Sequence, residues 1–148
     1  MQRVGVLWLV PLFMAIHNAE EWVLFPTYLP LVKGWLPAAV LKLVGLPTVE
    51  QMRIALLVVT AIPIALAAWM SVTPRKEPAV WLLLLFQAMV LLNVIWHIGS
   101  ATVFRSYVPG LITAVCINLP FSIYLFRRAA REQWVSRRRV TRVTATLP

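Results

Sequence analysis

Residues 79–104 read AVWLLLLFQAMVLLNVIWHIGSATVF, and this apolar stretch decides the fold. It contains no Asp, Glu, Lys or Arg, and it exceeds the roughly 20 residues that a helix needs to cross a membrane. Three other stretches of the chain are similarly apolar. The four expected spans are residues 4–25, 52–72, 79–104 and 108–126. The sequence therefore predicts an all-α fold, a four-helix bundle embedded in the lipid bilayer.

The composition of the whole chain excludes several classes of protein. Of its 148 residues 61% are hydrophobic and 13% charged, whereas soluble domains are about 45–50% apolar and about 25% charged. A soluble globule and a disordered chain are therefore excluded. The net charge of +9 does not indicate a nucleic-acid partner, because half of the Lys and Arg residues follow residue 126. A single cysteine, Cys116, excludes an internal disulfide and a multi-cysteine metal site.

Basic residues indicate how the bundle is oriented. Under a four-span topology, ten of the fourteen Lys and Arg side chains lie on the side of the termini. Because cytoplasmic loops carry the excess of basic residues, both termini are expected in the cytoplasm of a cell-membrane protein. Residues 1–126 then form the membrane domain and residues 127–148 a basic cytoplasmic tail. An alternative for residues 4–16 is the apolar core of a signal peptide, with Ala19 as a weak cleavage position.

The segment between the first two expected spans, residues 26–47, is apolar but rich in proline. Prolines at this density break a spanning helix. Tyr28 and Trp35 suit the level of the lipid headgroups. We therefore expect an interfacial hairpin or a short helix on the outer side, covering the mouth of the bundle.

Two polar clusters interrupt the apolar spans. The first reads HNAEE and places His17, Glu20 and Glu21 on one helix face, because successive residues turn by about 100°. The second holds Asn93 and His97, which are four residues apart and also share a face. Since the first and third spans both run outward, the two clusters are expected at similar depth. They can meet if those two spans are neighbours.

The residue types in these clusters favour a metal site. Ionisable groups at membrane depth are costly and need a partner or a role, and imidazoles with carboxylates are good ligands for zinc and iron. We interpret His17, Glu21 and His97 as ligands of a divalent metal, zinc or iron. Glu20 is then a further ligand or the catalytic acid or base. Asn93 either ligates weakly or supplies an outer hydrogen bond.

The fourth span begins on the same side with YVPG, in which Tyr107 can donate to an oxyanion or to a ligand carboxylate. Three motifs thus follow one another: HxxEE at residues 17–21, NxxxH at residues 93–97 and YxPG at residues 107–110. This ordered set resembles the HXXEE integral membrane family over residues 17–110. The resemblance implies a membrane bundle in which these residues belong together, and it implies no particular reaction.

Plainer interpretations of the same residues stay open. The HNAEE residues can be a solvated helix end at the headgroups. His97 and Asn93 can be structural residues that form hydrogen bonds between helices. Tyr107 can be an interfacial aromatic anchor, and the Pro-Gly pair that follows it can simply start the fourth helix.

Three functions are compatible with these features. The first is a metal-dependent membrane enzyme, a hydrolase, isomerase or oxygenase, that acts on a lipophilic small molecule. The second is a metal-free isomerase or cyclase that uses the same Glu and His residues for acid–base chemistry. The third is a carrier or accessory protein with an ion or proton site. Four spans are few for a transport path. An oligomer of identical chains would supply the missing spans.

Overall fold

A computed structural model describes residues 3–73 and 76–134, and within these ranges the chain is helical and contains no strand. The all-α prediction is therefore confirmed for this part of the protein. The elements are α1 (Arg3–Leu7), α2 (Leu9–Trp35), α3 (Ala38–Val44), α4 (Val49–Val72), α5 (Glu77–Phe104), α6 (Leu111–Thr113), a π-helical turn (Ala114–Asn118) and α7 (Leu119–Arg131). The helix α7 includes the first residues of the predicted basic tail, and the tail beyond residue 134 lies outside the described residues.

Three of the helical segments are long and apolar enough to cross a membrane: Val49–Val72, Glu77–Phe104 and Leu111–Arg131. The expected first span is formed by α1 and the first part of α2. The helix α2 has 27 residues, which exceeds the length that a span requires. It is not among the three because His17, Asn18 and the two glutamates lower its hydropathy. The fold thus fits a membrane protein with three clearly apolar helices.

The helix α2 does not end near residue 25 as the prolines predict, and this corrects the sequence-based expectation. It continues through Pro26 and Pro30 as far as Trp35. A proline inside a helix removes one backbone hydrogen bond, but neighbouring groups can make new ones where helices pack together. The expected alternatives for residues 26–47 were a hairpin or a short helix, and a short helix, α3, does lie there, with non-helical residues 36–37 before it and 45–48 after it.

The principal helix contacts form a ring. The helix α2 packs against α4, α4 against α5, and α5 against α7, and the π-helical turn closes the ring by contacting both α5 and α2. The helices α2 and α5 therefore face each other across the centre of the bundle, and are not flanking neighbours. Side chains from their inner faces meet on the bundle axis.

The bundle is apolar at one end and polar at the other. The apolar core joins α1, the start of α2, the end of α4, the start of α5 and α7. It consists of Val6, Leu7, Val10, Ala67, Met70, Ala79, Val80, Leu83, Phe121, Leu125, Ala129 and Trp134. In the middle, Gln87 donates to the hydroxyl of Ser122 over 2.8 Å and links α5 to α7. The buried histidines lie beyond this point, toward the end of α5.

Candidate metal centre

Three side chains from two helices converge in the polar half of the bundle. His17 and Glu21 are one turn apart on α2, and His97 comes from α5. One potential ligand atom from each residue lies within 4.8 Å of the others. The Glu21 Oε1 atom lies 3.8 Å from His17 Nε2 and 3.2 Å from His97 Nε2. The two imidazole rings are nearly perpendicular, with centroids 5.0 Å apart. The structure therefore brings together the three residues that the sequence suggested as ligands.

Burial differs among the three side chains. His17 is 0% exposed and His97 is 3% exposed, whereas the side chain of Glu21 is 19% exposed. The cluster is thus closed around the imidazoles and open on the side of the carboxylate. No hydrogen bond of good geometry reaches either ring nitrogen of His97 from the described residues, although Glu21 Oε1 lies 3.2 Å from Nε2. A buried polar atom without a hydrogen bond costs about 1–3 kcal/mol, so a cation bound to a His97 nitrogen would be stabilising.

Hydrogen bonds fix the orientation of the His17 ring. The Asn93 amide nitrogen lies 3.1 Å from His17 Nε2, and Thr113 Oγ1 lies 2.8 Å from His17 Nδ1. Because an amide nitrogen only donates, Nε2 accepts, and the neutral ring then carries its proton on Nδ1 and donates to Thr113. The Thr113 hydroxyl in turn donates to the carbonyl of Gly110 over 3.2 Å. These bonds fix the tautomer and the ring orientation of His17, and they leave the Nε2 lone pair pointing at the Asn93 amide, so a cation bound at Nε2 would have to displace that amide.

Gly110 is packed directly against the cluster. A Cβ atom at this position would lie 2.7 Å from His97 Cε1, 2.8 Å from His17 Cε1 and 3.0 Å from Glu21 Cγ. Its φ angle is +86°, in the left-handed region that favours glycine. The sequence suggested only that Pro109 and Gly110 start a helix. The structure adds that the glycine backbone closes one side of the three-residue cluster.

Glu20 does not lie in this cluster. Its carboxylate accepts hydrogen bonds from the Tyr107 hydroxyl and from the backbone N–H groups of Gly110, Ile112 and Thr113. These groups belong to the loop before α6 and to α6 itself, so Glu20, from a different helix, caps the start of the helical segment that runs from Leu111 to Arg131. Burial and the hydrogen bond to Glu20 raise the pKa of Tyr107, which keeps its phenol protonated as a donor.

The sequence analysis gave Glu20 as a further ligand or as the catalytic acid or base, and the structure does not group it with the three potential ligands. Glu20 and Tyr107 form a pair beside the cluster, while Asn93 contacts His17 within it. Thr113 was not singled out by the sequence. Its only sequence signal is that it is the polar residue of the first turn after Gly110.

We predict that Glu20→Gln lowers the free energy of unfolding by roughly 1–3 kcal/mol, because the substituted amide weakens charge-assisted hydrogen bonds and turns a donor toward backbone N–H groups. Thermal unfolding in detergent measures the change. Glu50→Gln is the matched control, since Glu50 is exposed in the first turn of α4. A Glu20→Gln protein as stable as the control variant would contradict the capping role.

Comparisons with known proteins agree with the motif in α2. Residues 8–125 match the model of a family described as "Protein of unknown function with HXXEE motif". Neither a curated protein nor a solved structure matches the chain significantly. The match covers most of the chain and confirms the family suggested by the HxxEE motif, without bearing on the patterns at residues 93–97 and 107–110. The chain therefore belongs to the HXXEE family.

Proposed function

We propose that this protein is a membrane-embedded metalloprotein in which His17, Glu21 and His97 hold a divalent cation. One observation carries the proposal: the only two histidines of the chain and one glutamate offer three ligand atoms within 4.8 Å inside a largely apolar bundle. An ion there offsets the cost of placing the Glu21 carboxylate beside two buried imidazoles. The family description names no activity, so the proposal depends on the geometry of this cluster.

The donor set suits a catalytic more than a purely structural site. Structural zinc sites are closed by four protein ligands, whereas catalytic sites use three and leave a position open. Two imidazoles and one carboxylate fit catalytic zinc and also non-haem iron. Such an ion supplies Lewis-acid chemistry or, for iron, oxidation chemistry. The exposed side of Glu21 is the direction from which a substrate reaches the open position.

The surroundings of the site favour a lipophilic substrate. Large apolar side chains are exposed along α4 and α5, such as Leu57, Leu92 and Ile95, which is expected for helices that face lipid. We propose that α2 also crosses the membrane, as the first span along the chain, which brings the number of spans to four. We further propose that residues 1–126 lie in the cell membrane. With both termini and the basic tail from residue 127 in the cytoplasm, the cluster faces the outer half of the bilayer. A substrate would then reach it from the membrane or from the outer surface.

Metal analysis of the purified protein tests the proposal. We expect close to one equivalent of zinc or iron after purification in detergent without chelator. Removal by a chelator should lower the melting temperature, and addition of the metal should restore it, since a ligand bound only to the native state stabilises it by about 2.7 kcal/mol at 100 times its Kd. Protein without bound metal, with unchanged melting in chelator and in added zinc or iron, would exclude the metal centre.

A second candidate, metal-free acid–base chemistry, is favoured by two contacts. The amide of Asn93 already occupies His17 Nε2, so a cation at this atom must displace it. In addition, Glu21 and His97 are close enough, at 3.2 Å, to share a proton. This candidate requires no bound ion, so the metal analysis that would exclude the first proposal is the result that the second one expects.

A further inference from the structure

A groove runs along the second half of α2 beside the connection between α5 and α6. It consists of two adjoining cavities of about 300 Å³ and 110 Å³. The larger one is bordered by Leu24, Tyr107 and Pro109, and the smaller one by Trp35 and Phe104. Tyr28, Leu31 and Ser106 line both cavities. The two spaces are therefore continuous parts of one elongated groove.

The inner end of the groove reaches Tyr107, which lies beside the cluster of His17, Glu21 and His97. Tyr107, which borders the larger cavity, donates its hydroxyl hydrogen to Glu20. Leu24 and Tyr28 follow Glu21 at positions i+3 and i+7 on α2, so the three residues share one helix face. Pro109 immediately precedes Gly110, whose backbone contacts the cluster. The groove thus ends beside Tyr107 and Pro109, next to the glycine that packs against the cluster, while His17, Glu21 and His97 line neither cavity.

The chemistry of the lining changes along the groove. The outer part is aromatic, with the Phe104 ring centroid 4.9 Å from that of Trp35 and 6.3 Å from that of Tyr28. No charged residue lines either cavity. At the inner end, the Tyr107 hydroxyl donates its hydrogen to Glu20, so its oxygen can only accept a further hydrogen bond. The inner end is therefore suited to a group that donates a hydrogen bond.

We propose that this groove binds an uncharged lipophilic alcohol, with its apolar chain or ring along Tyr28, Trp35 and Phe104 and its hydroxyl donating to Tyr107. The inference rests on the proposed function, since it names the substrate class of the same site. Ligand pockets range from roughly 300 to 1,000 Å³, so a groove of this size accepts a single chain or a small ring system. The alcohol oxygen would lie at the end of the groove nearest the cluster.

Photo-crosslinking of the full-length protein in detergent tests this assignment. The probe is a long-chain primary alcohol with a diazirine in the middle of its chain, and the labelled residues are identified by mass spectrometry of peptides. We expect labelling concentrated in residues 28–35 and 104–107, with several-fold loss on adding excess unlabelled long-chain alcohol. The methyl ether of the same probe should label these residues several-fold less. Equal labelling by the ether, or diffuse labelling of lipid-facing residues that excess alcohol does not reduce, would overturn the proposal.

A variant that fills the groove provides an independent test. Leu31→Trp places a larger side chain between the two cavities and should reduce labelling to that of lipid-facing residues. Met89→Trp makes a matched change on the exposed surface of α5 and should leave labelling unchanged. Leu31→Trp that labels like the wild type would contradict the groove.

Metal content measured on the same samples separates the two proposals. Bound metal together with diffuse labelling would overturn the groove alone. Hydroxyl-dependent labelling of the groove in a protein that holds no metal would overturn the metal centre and support the groove.

Discussion

His97→Ala is expected to lose the bound metal while keeping the fold. The substitution removes one of the three proposed ligands, and even the outer partners of metal ligands affect affinity by about 10–100-fold. We therefore expect the affinity for zinc or iron to fall by more than roughly 100-fold. Loss of the side chain also removes two buried nitrogens to which no described residue makes a hydrogen bond of good geometry. In chelator, the variant should accordingly melt close to the metal-free wild type.

Metal analysis and melting curves with and without added metal measure this result. Gln87→Leu is the matched control, because Gln87 is a buried polar residue of the same helix that pairs with Ser122 outside the cluster. The control should retain metal even though it loses an interhelical hydrogen bond. A His97→Ala protein that still holds one equivalent of metal, or a control that loses it equally, would show that His97 is not a ligand.

Gly110→Ala should both destabilise the protein and displace the ligands. The new Cβ atom would lie within 3.0 Å of one atom in each of His17, His97 and Glu21, so these side chains or the backbone must shift. The left-handed φ angle adds strain of about 1–3 kcal/mol for a residue other than glycine. We expect a total loss of roughly 2–4 kcal/mol in the free energy of unfolding, together with loss of bound metal.

A substitution at a second glycine, Gly45, separates the crowding by the new Cβ atom from the backbone strain. Gly45 has a φ angle of +65°, but a Cβ atom there would meet nothing within 4 Å. Gly45→Ala therefore carries backbone strain without the crowding, with a ψ angle of 154° against −9° at Gly110, and should retain the metal. Metal content of the two variants, measured beside thermal unfolding, separates displacement of the ligands from backbone strain. Equal stability and equal metal content in both would mean that Gly110 does not shape the cluster.

Helical periodicity was sufficient to predict much of the candidate site. The spacing of His17 and Glu21 places both on one face of a helix, and the spacing of Asn93 and His97 does the same on another. Because α2 and α5 are helical at these residues, the two members of each pair lie on the same helix face, as the spacing predicts. The all-α fold followed equally from long apolar stretches, because a chain without water around it must satisfy its backbone polar groups within helices or closed barrels.

The partners of Glu20 could not be predicted from the sequence. Periodicity states which face of α2 a side chain occupies, but not which segment approaches that face. Glu20 and Glu21 are adjacent in the chain, and one carboxylate contacts His97 while the other binds the start of the fourth helical segment. The continuation of α2 through Pro26 and Pro30 was likewise not predicted from the sequence, since prolines are expected to interrupt a helix.

The sequence by itself determined the helices, the family and the faces on which the polar residues lie. These properties are local, since they depend on residues within a few turns of one another. Only the tertiary structure decided that α2 and α5 oppose each other across the bundle, that Gly110 closes the cluster and that Glu20 is engaged elsewhere. Such contacts join residues distant in the chain, and their geometry is set by the packing of all the helices together.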